Sequence, residues 1–139
     1  MITLDASAAI KLVITEENSD KISNAFDSVT SRGEPILTVD IMLAESVNGL
    51  WKHLMVLKDI DENQFETAYK NLLALWNSTE IIPTEILIDK ARQIAKRHML
   101  TIYDSLYVSL SLLNNAPILS CDSAILEKSE KIGINTLKI

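Results

Sequence analysis

Carboxylates in unusually apolar stretches are the residues of this sequence best suited to do chemistry. Asp5 is the only charged side chain in residues 1–10, and Asp104 carries the only formal charge between His98 and Cys121. Burying a lone carboxylate is costly unless a cation or hydrogen-bond donors stabilise it. The two positions therefore predict carboxylates that some other part of the fold must stabilise.

Two further carboxylates are predicted to reach the same region. Asp122 lies two residues after a predicted strand that ends at Ser120. Glu45 lies on a predicted helix, where Asn48 and Lys52 follow it at spacings of three and seven residues and so share its stripe. The apolar residues of that helix form a different stripe, so Glu45 is free to project toward a cleft.

Four converging carboxylates would form a site for a hard cation. They would repel one another, and some would stay protonated unless a cation joined them. The single cysteine, Cys121, can form neither an internal disulfide nor a CxxC zinc site, and His53 and His98 are far apart in sequence. Carboxylate ligands favour Mg²⁺ or Mn²⁺, either of which can activate a water and stabilise charge on a phosphate.

A structural interpretation of the same acids stays open. Asp5 and Asp122 each precede a predicted helix, where aspartate is a favoured N-cap. Asp104 lies in the first turn of a helix, where negative charge is favourable. Glu45 alone is typical of a solvated helix face.

Alternating strands and helices must position these residues. The predicted strands are 1–4, 36–39, 80–82, 117–120 and 135–139, and the predicted helices are 6–14, 19–31, 41–57, 61–76, 83–98, 102–114 and 123–132. Helices between strands serve as the crossovers that parallel strands need. We therefore expect one α/β domain over residues 1–139, a three-layer α/β/α sandwich with a mostly parallel sheet of four or five strands. In such folds the site lies beyond the carboxyl ends of the strands.

Local signals predict where several helices begin and end. Asp40 is expected to cap the helix over 41–57, and Asp61 with Gln64 makes a capping-box start for the next one. Gly133 is expected to end the last helix. The aromatic residues at helical positions, Trp51, Trp76, Tyr103 and Tyr107, favour packing in a core or an interface.

Composition excludes several classes of protein. The 139 residues are 47% hydrophobic and 23% charged, which is typical of a globular domain and not of a disordered chain. A net charge of −6 disfavours a protein that coats DNA without sequence preference. No apolar run reaches the roughly 20 residues that span a bilayer. The N-terminus has no signal-peptide pattern, so we expect a cytoplasmic, reducing compartment.

Four segments, one around each acid, together resemble a known family. They read ITLDAS over 2–7, LAESVN over 43–48, IYDSLYVSL over 102–110 and LSCD over 119–122. In this order and across nearly the whole chain, they resemble the PIN-domain ribonucleases, and among these the VapC-type toxins of toxin–antitoxin pairs.

The resemblance implies a Mg²⁺- or Mn²⁺-dependent endoribonuclease that hydrolyses phosphodiester bonds of single-stranded or structured RNA. It implies catalytic, metal-binding acids at Asp5, Glu45, Asp104 and Asp122, with supporting roles for Ser7, Asn48 and Ser120. Some family members carry a further acid just after the position of Asp122. Ser123 and Ala124 stand there in this chain, which predicts that a second metal is weakly bound or absent.

The resemblance also implies partners. A small antitoxin protein would fill the acidic groove with its tail, and a homodimer would form, with residues 41–76 as a candidate face. Basic groups that could attract RNA are Lys11, Lys52, Lys96 and Arg97, although each is also typical of a solvated surface.

Two other functions remain open at this point. One is a non-catalytic binding module of the same fold, in which the four acids are helix caps and solubility groups. The other is a DNA-directed nuclease, since the PIN fold also hosts such enzymes. Metal affinity separates the first from a nuclease, and substrate preference separates the second from a ribonuclease.

Overall fold

A parallel sheet lies at the centre of the protein, which we describe over residues 1–137 of a computed structural model. Its strands are β1 (Ile2–Leu4), β2 (Ile36–Val39), β3 (Glu80–Ile82) and β4 (Ile118–Leu119). They are hydrogen-bonded in the order β3-β2-β1-β4, and every neighbouring pair is parallel. The predicted parallel sheet is confirmed, with four strands.

Helices connect the strands, as predicted. Within residues 1–137 they are α1 (Ala6–Val13), α2 (Ser19–Thr30), α3 (Met42–Lys52), α4 (Glu62–Asn77), α5 (Thr84–His98), α6 (Ile102–Asn114) and α7 (Ser123–Ile132). The capping box of Asp61 and Gln64 is present at the start of α4, and Gly133 ends α7 with a φ of 89°. In this part of the chain, no helix is both long and apolar enough to cross a bilayer.

Helices cover both faces of the sheet. Every residue of β1, β2 and β4 is buried, as expected for parallel strands packed between two helical layers. Helix α6 packs on β1, β2 and β4 and is flanked by α5 and α7, whereas α1 packs against α2, α3 and α4. The three-layer α/β/α sandwich is therefore confirmed.

Helices α1 and α3 approach each other closely at Gly49, and this contact positions α3. A Cβ atom added at Gly49 of α3 would lie 2.2 Å from Cδ1 of Ile10 in α1. Real Cβ atoms do not come so close to another carbon, so the absence of a side chain at Gly49 permits this contact. Since α1 begins at the end of β1, the contact holds α3 and its Glu45 beside that end.

Asp40 does not cap α3, contrary to the sequence-based expectation. Ile41 occupies the cap position and makes no side-chain cap bond. Asp40 instead accepts hydrogen bonds from the backbone N–H of Thr84, at 3.0 Å, and from the Thr84 hydroxyl. The reason is the register of the sheet: Val39 pairs with Ile82, which places the residue after β2 beside the first turn of α5.

Two other expectations need correction. The helix expected over 41–57 is α3 followed by a π-helical turn, His53–Leu57, which ends at Lys58 in the left-handed region with a φ of 53°. The expected fifth strand over 135–139 is reduced, within the described residues, to one parallel bridge between Ile118 and Thr136. Residues 138 and 139 lie outside the described residues.

The Asp40–Thr84 contact predicts a measurable loss of stability. Asp40→Ala removes both acceptors from the first turn of α5, and a lost cap of this kind costs about 1 kcal/mol. We expect the free energy of unfolding in urea to fall by that amount. Thr84→Ala should cost less, and the double variant should be no less stable than Asp40→Ala, because both changes remove one contact. Strictly additive losses would contradict this assignment.

Candidate functional site

Neighbouring parallel strands bring Asp5 and Asp122 to the same edge of the sheet. Leu4 pairs with Leu119, and the backbone N–H of Asp5 donates to the Leu119 carbonyl at 3.3 Å. Asp5 follows β1 directly, and Asp122 follows β4 after two residues. The carboxyl ends of β1 and β4 therefore present both acids on one side of the sheet.

The carboxylate of Asp5 is buried and is held by hydrogen bonds from both ends of the chain. Its Oδ1 accepts from Ser7 Oγ at 2.8 Å and from the backbone N–H of Ala8 at 2.9 Å. Its Oδ2 accepts from Ser120 Oγ at 2.5 Å. Both expected hydroxyl neighbours, Ser7 and Ser120, thus contact this acid.

The same two hydroxyls fix the loop that carries Asp122. Ser7 Oγ accepts from the backbone N–H of Cys121 at 2.8 Å, and Ser120 Oγ accepts from the backbone N–H of Asp122 at 3.0 Å. Each serine therefore bonds the Asp5 carboxylate and the backbone near Asp122 at once. The relative position of the two acids is set by this pair of serines.

Asp5 and Asp122 are also helix caps, as the structural interpretation expects. Asp5 caps α1 through Ala8, and Oδ1 of Asp122 accepts from the backbone N–H groups of Ala124 and Ile125, at 2.9 and 3.0 Å. Both cap bonds of Asp122 use one oxygen. Its Oδ2 makes neither of them.

Glu45 and Asp104 come from facing helices. Glu45 is half-buried in the first turn of α3, and Asp104 is half-buried in the first turn of α6. The backbone N–H of Asp104 donates to Oγ1 of the cap residue Thr101 at 3.0 Å. Glu45 Oε1 accepts from the hydroxyl of Tyr107, one turn further along α6, at 2.6 Å.

Tyr107 is a site residue that the sequence-based prediction missed. Its ring is buried, as expected, but the prediction gave its hydroxyl no partner. A sequence signal exists: a tyrosine in a strongly apolar helix needs an acceptor for its O–H when it is buried. Burial and the Glu45 carboxylate raise the pKa of Tyr107, so its hydroxyl remains a donor.

The electrostatics connect the four acids. Burial raises the pKa of Asp5 to about 6, and the charge of Asp122 adds to the rise while the hydrogen bonds from Ser120, Ala8 and Ser7 oppose it. Burial also raises the pKa of Asp104, again with a contribution from Asp122. Burial and then Asp104 raise the pKa of Glu45, whereas the Tyr107 bond lowers it. Asp5, Glu45 and Asp104 therefore each lie close enough to another acid of the four for that acid's charge to raise their pKa.

The charge of this acidic cluster (Asp5, Glu45, Asp104 and Asp122) is not compensated by basic side chains. Among residues 1–137, none of the four forms a salt bridge with a lysine, arginine or histidine. The donors are all carboxylate oxygens, which suit Mg²⁺ or Mn²⁺, and a divalent cation would relieve their mutual repulsion. By donor chemistry and charge, these residues fit such an ion.

The cluster is not closed into a coordination sphere. Within the described residues, no group of three or more Asp, Glu, His or Cys side chains is arranged to hold a metal ion. The hydrogen bonds of Asp5 account for part of this open arrangement, because both of its carboxylate oxygens already accept bonds from Ser7, Ser120 and Ala8. Cys121 adds no thiolate ligand, since burial raises the pKa of its thiol to about 11.

Asn48 lies on the surface of α3, one turn after Glu45. It makes no hydrogen bond to the acidic cluster in the described part of the chain and instead lines a neighbouring apolar groove of about 780 Å³. The groove lies between α3 and α4, and its walls include Leu43, Val47, Trp51 and Trp76. Leu43 and Val47, two apolar residues of α3, are only partly buried there.

The pKa of Asp5 predicts a pH-dependent stability. Its pKa lies near 6 in the folded chain and near 3.8 in the unfolded one, so the folded state binds the proton more tightly. This stabilisation is complete below pH 3.8 and is lost as the pH rises through 6. In metal-free buffer, wild type should therefore lose up to about 3 kcal/mol relative to Asp5→Asn between pH 3.5 and 7.5, at ~1.4 kcal/mol per pKa unit.

The measurement is urea unfolding of both proteins across that pH range. Asp20→Asn, at an exposed aspartate in the first turn of α2, is the control and should follow wild type. A constant difference between wild type and Asp5→Asn at all pH values would contradict the assignment.

Comparisons with known proteins place these features in a family. The PIN domain family model matches residues 2–131. Ribonuclease VapC3 of Pyrobaculum aerophilum is 30% identical over 130 residues, which cover 91% of this chain and 93% of that protein.

Solved structures share the fold. PAE2754 from Pyrobaculum aerophilum has a TM-score of 0.71 at 20% identity, covering 98% of this chain and 83% of that one. VapC20 of Mycobacterium tuberculosis, described as a sarcin-ricin loop cleaving toxin, has a TM-score of 0.66 at 13% identity, covering 91% and 94%. The match of the family model along nearly the whole chain, on a four-stranded parallel sheet with acids at its edge, shows that this chain belongs to the PIN-domain family.

Proposed function

We propose that this protein is a Mg²⁺- or Mn²⁺-dependent endoribonuclease and the toxin of a VapBC-type toxin–antitoxin pair, acting in the cytoplasm. The observation that carries the proposal is the acidic cluster, whose carboxylates are partly or wholly buried and form no salt bridge with a basic side chain of residues 1–137. Burial and a neighbouring acid raise the pKa of Asp5, Glu45 and Asp104. Membership of the PIN-domain family and the likeness to a ribonuclease support it.

The four acids divide into two roles in the proposal. Asp5, Asp104 and Asp122 would hold the cation, and Glu45 would be a further ligand, either directly or through a water. When bound, the cation supplies a Lewis acid that activates a water and neutralises charge on the scissile phosphate. Hydrolysis then leaves a 5′-phosphate and a 3′-hydroxyl.

The chain's own residues prepare this arrangement. Ser7 and Ser120 hold Asp5 and fix the backbone before Asp122, so the two acids keep their spacing. No histidine is needed as a base. His53, for example, bonds Asp59 at 2.9 Å beyond the end of α3.

In this proposal, RNA is attracted by basic side chains that form no salt bridge within the protein. Lys11 is engaged, because its Nζ lies 3.0 Å from Glu16 Oε1 and donates to the Glu17 carbonyl at 2.6 Å. Lys52, Lys96 and Arg97 form no salt bridge with any described residue. We therefore propose these three as phosphate contacts.

The apolar groove between α3 and α4 is the proposed seat of a small antitoxin protein. It is an open, mostly hydrophobic surface that continues past Asn48 toward the turn of α3 that carries Glu45. A second copy of this chain is the other proposed partner. The π-helical turn exposes Met55, Val56 and Leu57, which lie within the expected dimer face over residues 41–76.

A specific observation favours a second candidate, the non-catalytic binding module. Asp5 and Asp122 act as the caps of α1 and α7. This role accounts for two of the four acids, but it gives no reason for Glu45 or Asp104 to lie beside them.

The main test is metal-dependent cleavage by purified protein. We expect a labelled structured RNA to be cut with Mn²⁺ and to remain intact with EDTA. Asp104→Asn keeps the side-chain volume and removes the charge, so it should lower the cleavage rate by about a hundredfold or more, the scale of losing an electrostatic catalytic group. Asp89→Asn, at an exposed aspartate of α5, should cut like wild type.

Each other outcome identifies an alternative. Cleavage by Asp104→Asn at the wild-type rate would refute the proposed site. Preference for a DNA strand of the same sequence would identify a DNA-directed nuclease. No cleavage with any divalent metal, by folded protein free of a partner, would favour the binding module.

The dimer face makes a separate prediction. Val56→Glu places a charge on the exposed apolar turn, and we expect sedimentation equilibrium to show monomers where wild type shows dimers. Leu113→Glu, at a similarly exposed leucine of α6 outside residues 41–76, is the matched control and should stay dimeric. Dissociation by Leu113→Glu but not by Val56→Glu would place the interface on α6.

A further inference from the structure

Tyr107 joins the two helices that carry Glu45 and Asp104. It is the bulkiest fully buried side chain of the described chain, with 2% of its surface exposed. Its ring is fixed by the core around α6, and only its hydroxyl reaches a polar group. The hydroxyl donates to Oε1 of Glu45 on α3, at 2.6 Å, and is also hydrogen-bonded to the backbone of Ala6 at the start of α1.

Glu45 depends on this bond for its orientation. A glutamate has several rotatable bonds and loses much of its rotamer freedom when it is held in one position. In the described part of the chain, the Tyr107 hydroxyl is the only hydrogen-bond partner of the Glu45 carboxylate. The rigid tyrosine therefore determines where the flexible carboxylate lies.

The direction in which Glu45 is held is also informative. Tyr107 is three residues after Asp104 on α6, so the two side chains lie on neighbouring positions of one helix face. Glu45 is drawn toward that face although the charge of Asp104 disfavours its ionised form. A bond that serves packing alone has no need to bring two carboxylates together.

We infer that Tyr107 is a positioning residue, which holds the Glu45 carboxylate beside Asp104 so that these two carboxylates already lie together before an ion binds. This inference rests on the proposed function and assigns Tyr107 a part in it. Partners that orient metal ligands in this way change metal affinity by about 10- to 100-fold when they are removed.

The test compares Mn²⁺ binding by the full-length, metal-free chain. Tyr107→Phe removes only the hydroxyl and keeps the buried ring. We expect its dissociation constant for Mn²⁺, measured by calorimetry and by the EPR signal of free Mn²⁺, to rise about tenfold or more. Tyr103→Phe, one turn earlier on α6 with its ring 61% exposed, is the matched control and should bind like wild type.

A double-variant cycle separates positioning from packing. In a Glu45→Gln background the carboxylate is gone, so Tyr107→Phe should produce no further loss of Mn²⁺ affinity. Thermal unfolding of the same four proteins, without metal, gives the structural contribution of the hydroxyl independently. A lower melting temperature with unchanged Mn²⁺ affinity would assign Tyr107 a packing role and overturn the inference.

Two further results would also overturn it. One is an equal loss of Mn²⁺ affinity from Tyr107→Phe in the wild-type and Glu45→Gln backgrounds. The other is a wild type that neither binds Mn²⁺ nor cuts RNA, which refutes the proposed function and this inference with it. A wild type that binds and cuts, next to an unaffected Tyr107→Phe, refutes the inference alone.

Discussion

The arrangement of the acidic cluster depends on one buried carboxylate that has no basic partner among residues 1–137. Asp5 lies at the end of the central strand β1, where burial disfavours its charge. Hydrogen-bond donors must replace the lost water, and Ser7 and Ser120 supply them from opposite ends of the sequence. Because the same hydroxyls bind the backbone of the β4–α7 loop, stabilising Asp5 also places Asp122.

Most of the fold is predictable from the sequence because its elements carry strong local signals. Helix α6 was predicted over residues 102–114 and is found there, since a capping threonine and an apolar run define it. The prediction that Asp40 caps α3 is wrong because an aspartate can also bond the first turn of a helix that does not follow it in sequence. Only the pairing register of β2 and β3 shows that α5 is that helix. Strand lengths are less predictable. The strand predicted over 117–120 has only two residues, and the one predicted over 135–139 is reduced, within the described residues, to a single bridge at Thr136.

The candidate site is less predictable than the fold. Isolated acids in apolar segments identify Asp5 and Asp104, because the cost of burying charge can be estimated from composition alone. The bond from Tyr107 to Glu45 depends on where α3 lies relative to α6. Contacts of α3 with α1, such as that of Gly49 with Ile10, help to set this position, and the sequence does not specify the resulting distance. Whether four acids lie close enough together to bind one ion likewise depends on distances that residue spacing does not determine. The expectation that they do so comes from the family resemblance.

The pairing of Ser7 with Ser120 also has a consequence for synthesis on the ribosome. The two serines that bind the Asp5 carboxylate are separated by 113 positions, so a nascent chain cannot complete this pair of contacts until Ser120 has been translated. A growing polypeptide that already includes α1 and β2 still lacks β4 and the loop that bears Asp122. Chains released before that point would therefore carry the first acid without the last, and the acidic cluster would not form in them.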